Sequence, residues 1–146
     1  MSFTGIHGLD HSINSTNEWI AAVASAFETE DRDFAYRVLR AWMHSMRDRL
    51  TVEAAAHLAA QLPELLRGVF YDGWSPRHMP YKYDAQRFAE RFADEARVAR
   101  TDVHRTASTV TEVVMSRIAP GGVEQALRQM PDELRRLVSE KEVSRH

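Results

Sequence analysis

The chain contains no cysteine, so it holds neither a disulfide framework nor a thiolate nucleophile, and a reducing compartment is permitted. No apolar run approaches the ~18 residues that a membrane-spanning helix needs. The segment Met1-Ser2-Phe3-Thr4-Gly5-Ile6-His7 combines no basic stretch with an apolar one, as a secretory leader does. A formal charge of −2 gives no global attraction to nucleic acid or to an anionic membrane. Among the basic residues only Lys82 and Lys141 are lysines. Strand signals are missing too, as are a G-x-S-x-G elbow, a P-loop, a dinucleotide fingerprint and a HExxH pair. These absences lead us to expect a cytoplasmic, non-membrane protein that is not an enzyme and uses no cofactor or metal.

What is present is an ungapped internal repeat with an offset of 68 residues. Gln61-Leu62-Pro63-Glu64-Leu65-Leu66-Arg67 returns as Gln129-Met130-Pro131-Asp132-Glu133-Leu134-Arg135. Upstream, Arg49-Leu50 faces Arg117-Ile118, Trp42 and Met46 face Val110 and Val114, and Ile20, Ala21 and Ala24 face Phe88, Ala89 and Phe92. The expected fold is therefore all-α: two duplicated multi-helix units packed as a pseudo-twofold helical bundle. Two copies are too few for an open solenoid, which needs at least about three stacked units.

The expected boundaries are an N-terminal arm over 1–14, one helical domain over 15–140 and a C-terminal tail over 141–146. Within the domain, repeat 1 covers 15–72, a strap covers 71–83 and repeat 2 covers 84–140. Ser15-Thr16-Asn17-Glu18 reads as a capping box that opens a helix through Trp19, Ile20, Val23 and Phe27. Glu28-Thr29-Glu30-Asp31 starts a second helix, whose apolar positions Phe34, Ala35, Val38, Leu39, Trp42, Met43, Met46 and Leu50 place it at the centre of its unit. Thr51 caps an alanine-rich third helix, and Pro63 opens a short fourth over 64–71. In the second unit Asp84 caps 85–98, residues 102–118 form the core helix, and Pro120 and Pro131 open the last two. Gly121-Gly122 removes the alanine-rich start of the seventh helix, where looser packing is expected.

The strap Tyr71-Asp72-Gly73-Trp74-Ser75-Pro76-Arg77-His78-Met79-Pro80-Tyr81-Lys82-Tyr83 breaks the helical pattern with two prolines and an Asp-Gly pair. Four aromatics make it too apolar for a free linker, so it is expected to be ordered.

The run Leu50-Thr51-Val52-Glu53-Ala54-Ala55-Ala56-His57-Leu58-Ala59-Ala60-Gln61-Leu62-Pro63, with Arg67-Gly68, Tyr71-Asp72-Gly73-Trp74 and the second Gln-x-Pro at Gln129 to Pro131, resembles the bacterial domain of unknown function 2267 family. The resemblance covers about residues 16–138. It implies an all-helical, duplicated cytoplasmic domain and no reaction, cofactor or catalytic residue.

Several constellations compete for a role. Tyr71, Trp74, Arg77, Tyr81 and Tyr83 carry the residue types that anchor interfaces, and form the candidate interaction surface; the competing reading is that they fold back over the repeat junction. Arg37, Arg40 and Arg47, in a stripe with His44, are candidate phosphate or partner contacts, against a solvated face flanked by Asp33 and Asp48. Gln61, Pro63 and Arg67, with Gln129, Pro131 and Arg135, read as structural positions: the glutamines as caps of helix-end carbonyls, the arginines as clamps through carboxylates. His7-x-x-Asp10-His11 groups metal-ligand types only if helical, which Gly5 and Gly8 oppose. A helix-turn-helix over 51–60 and 64–71 puts Glu53 and Glu64 where phosphates would approach. The expected function is a non-catalytic module that binds a protein partner or a second copy of itself through the strap. The alternative is a small-molecule or nucleic-acid phosphate binder using arginines near the repeat junction.

Overall fold

In a computed structural model describing residues 3–140, apolar spacing and proline placement resolve into eight α-helices, with no strand among the described residues. The expected tail over 141–146 and the first two residues of the expected arm lie outside the described residues. The helices are α1 His7–Ala26, α2 Arg32–Arg49, α3 Val52–Ala59, α4 Glu64–Tyr71, α5 Ala85–Ala96, α6 Val103–Arg117, α7 Gly122–Arg128 and α8 Asp132–Val138. No helix is long and apolar enough to cross a membrane among the described residues.

The first helix corrects the sequence reading. It begins at His7, not at Ser15, so most of the expected arm is helical. Gly5 turns the chain with φ +77 outside the helix, and the Asp10 carboxylate gathers the backbone N–H groups of Phe3 (3.2 Å) and Thr4 (2.8 Å) with the Thr4 hydroxyl (2.8 Å). These bonds tie the preceding segment to the first turn of α1 and offset the cost of Gly8 inside the helix, about 1 kcal/mol relative to alanine. Ser12, Thr16, Trp19 and Val23 then recur every three or four residues as the buried face.

Other starts follow their caps. Asp31 accepts from the Phe34 N–H (3.0 Å), Thr51 from Ala54 (3.1 Å) and Asp84 from Arg87 (2.8 Å). Pro63 and Pro131 occupy the N-cap positions of α4 and α8. Pro120 does not open α7; Gly121, with φ +86, is its N-cap and the helix starts at Gly122. Packing here is close rather than loose, because a Cβ on Gly122 would stand 2.6 Å from Gln61 Oε1 and 2.8 Å from Ile118 Cδ1.

α2 is the central element, as its broad apolar face requires. It packs against α1, α3, α4, α5 and α6, and Trp42, Met43 and Leu39 are fully buried along it. At its crossing with α6 the Trp42 indole N–H donates to Thr111 Oγ1 (2.9 Å), and that hydroxyl lies 2.6 Å from the Val138 carbonyl at the end of α8. Around this crossing α2 packs on α4 and α5, α6 on α1 and α8, α1 on α4, α5 on α8, and α3 against α7.

Arg67, Arg135 and Gln61 act on carbonyls, whereas Gln129 does not cap a helix end. Arg67 donates to Ala59, Ala60 and Leu62 oxygens at the end of α3 (3.2, 3.4 and 3.1 Å), and Arg135 donates to Met130 O (2.7 Å). The carboxylate clamp expected for Arg67 is replaced by helix-end capping; Arg135 adds an ion pair with Asp132 of its own helix. Gln61 donates to His57 O (3.4 Å), whereas Gln129 Oε1 meets the Thr51 hydroxyl of the other half (3.5 Å).

Candidate functional site

The stripe on α2 and the strap meet in space. Instead of a solvated face, α2 turns Arg40, His44 and Arg47 toward α5, the end of α4 and the beginning of the strap. Arg47 is 5% exposed. Its guanidinium donates to the carbonyls of Phe70 (2.9 Å) and Asp72 (2.8 Å), and its Nε bonds the buried Asp48 carboxylate (2.8 Å). It thereby caps the C-terminus of α4, whose last carbonyls have no intrahelical partner.

His44 is held from both sides. Nδ1 lies 2.7 and 3.1 Å from the two Glu95 carboxylate oxygens, and Nε2 lies 2.7 Å from the Val69 carbonyl. Glu95 and the Val69 carbonyl thus engage both ring nitrogens. With Nε2 occupied by a backbone carbonyl, His44 has no free nitrogen to activate a nucleophile. Arg40 completes the set through Asp72 (2.8 Å) and, more distantly, Glu95 (3.8 Å). Arg37 stands apart, where its Nε caps the last carbonyl of α5 at Ala96 (2.7 Å), next to the left-handed C-cap Arg97 with φ 58.

The strap is fastened to the C-terminal end of α2 through its backbone. Tyr81 N–H donates to Asp48 O (2.8 Å), and Arg49 Nε donates to Tyr83 O (3.2 Å). Desolvation at this junction lowers the Arg49 pKa from its ordinary value. Two aromatic groups result. Tyr71 and Trp74 pack with centroids 5.0 Å apart, and Tyr71 also meets Phe70 edge-on at 5.2 Å, so this end joins the core. The Trp74 indole nitrogen is buried without an acceptor among the described residues, and its contribution is packing. Tyr81 and Tyr83 stack at 5.4 Å with an interplanar angle of 7°, with the Arg91 guanidinium 4.9 Å from the Tyr83 centroid.

Beside Tyr83, α2 and α5 leave a cleft of about 360 Å³, lined by His44, Ser45, Asp48, Arg91, Asp94 and Glu95 among others. Its wall carries both signs. Arg77 and Lys82 extend from the strap as exposed cations and make no ion pair with described residues. Hence four of the five expected surface residues, Tyr71, Trp74, Tyr81 and Tyr83, are half-buried and only Arg77 is exposed. The residues that the sequence does not announce are Asp72, Glu95 and Arg91. Glu95 sits among the charges of α5, and only the crossing of α5 on α2 marks it as a partner of His44. Among the described residues no group of three or more metal-ligand types is gathered; His7 and His11 stack at 6.5 Å on α1 without forming one.

Residues 16–137 match a family model described as an uncharacterized conserved protein (DUF2267). No curated protein matches the chain.

Proposed function

This chain belongs to the DUF2267 family, and from the site it carries we propose that it is a non-catalytic, cytoplasmic module of a bacterial cell that binds a protein partner through the strap face. The observation that carries this reading is the backbone fastening of the strap to α2 by Tyr81 N–H to Asp48 O at 2.8 Å. A segment held by its backbone keeps its side chains for contact, and stacked tyrosines on a rigid base lose little entropy when a partner covers them. His44, the best-placed base, is occupied on both nitrogens, which favours binding over catalysis.

The same reading takes the chain as two copies of one four-helix unit related by a pseudo-twofold. Supporting it, Arg67 reaches Leu62 O and Arg135 reaches Met130 O, positions that correspond across the repeat. The reciprocal helix pairings around the α2–α6 crossing support it as well.

The alternative is a phosphate-bearing small molecule or nucleic acid. It is favoured only by exposed Arg77 and Lys82, because Arg37, Arg40 and Arg47 already serve acceptors within the chain. Affinity capture with cross-linking, at low and high salt, compares wild type with the Tyr81→Ala/Tyr83→Ala variant. A protein retained through the salt series and lost with the variant supports the reading. A nucleic acid or anionic ligand recovered instead, and released by salt, overturns it.

A further inference from the structure

Six large apolar side chains are exposed among the described residues, and four of them, Phe3 (55%), Ile6 (58%), Leu9 (47%) and Leu65 (48%), belong to residues 3–9 and the first turn of α4. The Leu65 N–H donates to Ser12 Oγ (2.9 Å), which sets the first turn of α4 against the second turn of α1. On α1 the buried face runs through Ser12, Thr16, Trp19 and Val23. Ile6, Leu9 and half-buried Ile13 recur at three and four residues on a separate line, whose first two members stay about half exposed among the described residues. The segment before α1 is also fixed in an outward position. Phe3 and Thr4 are held by three bonds to a single Asp10 oxygen, where an untethered arm would let Phe3 fold inward.

We propose that this surface, formed by residues 3–13 and the first turn of α4, is the interface of a twofold-symmetric homodimer. The area argues for a second copy. Four large side chains, each about half exposed, present on the order of 400 Å² of apolar surface. A standard interface covers about 800 Å² on each partner, somewhat over half of it non-polar. Pairing the patch with itself therefore meets nearly the whole apolar requirement on both sides at once, as an isologous contact does. Glu64, His7 and His11 are exposed beside these residues in the chain, polar side chains of the kind that form the rim of such an interface. The interface is separate from the strap and does not depend on its role.

Sedimentation velocity of the full chain from about 1 to 200 µM tests the proposal, using wild type, Leu9→Glu, Leu65→Glu and the strap variant Tyr81→Ala. Wild type and Tyr81→Ala should sediment as dimers at the upper concentrations. Both glutamate variants should remain monomeric with circular dichroism unchanged, and with an unchanged melting temperature at the lowest concentration, where no dimer contributes to stability, because the substituted positions are already exposed. A monomeric wild type across the range overturns the proposal, as does a dimer that survives both glutamate substitutions. Binding of the monomer to phosphatidylcholine vesicles, lost with Leu9→Glu, would assign the patch to a lipid surface instead and equally overturn it.

Discussion

The backbone N–H of Tyr81 donates to the carbonyl of Asp48 across 2.8 Å, joining the strap between the two halves to the last turn of α2. Asp48 uses its side chain for the buried Arg47 guanidinium, at 2.8 Å, while its carbonyl holds the strap. One residue thus couples the charged lining of α2 to the position of the aromatic face.

That coupling makes Arg47 the most sensitive polar residue of the site. Arg47→Met removes three bonds and leaves the side chain of Asp48, 7% exposed, with only Arg91 at 3.8 Å as a cation among the described residues. Breaking a buried pair from one side typically costs about 3–5 kcal/mol. Urea denaturation should show a loss in that range. It should be much larger than for Arg87→Met, whose pair with Glu90 at 3.3 Å is on the surface.

A second prediction concerns the crossing of α2 and α6. Thr111→Val leaves both the Trp42 indole N–H and the Val138 carbonyl without the hydroxyl that joins them at 2.9 and 2.6 Å. Stranding buried polar groups costs about 1–3 kcal/mol each. Thr109→Val, which loses a bond only to Arg105 O of its own helix, should cost far less in the same thermal melt.

Proline and leucine at the start of α4 separate rigidity from packing. Pro63 is an N-cap without a side-chain hydrogen bond, whereas Leu66 is fully buried. Pro63→Ala should change stability by less than about 1 kcal/mol, and Leu66→Ala should cost about 2–5 kcal/mol. The order of their melting temperatures checks this directly.

The helical class and most helix starts are legible in sequence, because Asp31, Thr51 and Asp84 act locally and the apolar period of α2 needs no knowledge of its neighbours. Two features are not legible. The α1 start at His7 goes with the Asp10 carboxylate, which ties Phe3 and Thr4 of the preceding segment back to the first turn despite glycines at 5 and 8. The fate of the arginine and histidine stripe depends on acceptors far away in the chain: Glu95 for His44, Phe70 and Asp72 carbonyls for Arg47, Ala96 for Arg37. Backbone carbonyls carry no sequence signature, so a stripe that ties together helix ends looks the same in sequence as one facing water.

Amide hydrogen exchange at Tyr81 tests the central claim, that the strap is a fixed surface mounted on α2. The account predicts that the Tyr81 amide exchanges as slowly as amides in the last turn of α2, since they open together. It further predicts that Arg47→Met speeds Tyr81 exchange while leaving α6 amides slow. Exchange of Tyr81 at the rate of an unstructured peptide, together with ready proteolysis between residues 72 and 83, would contradict it.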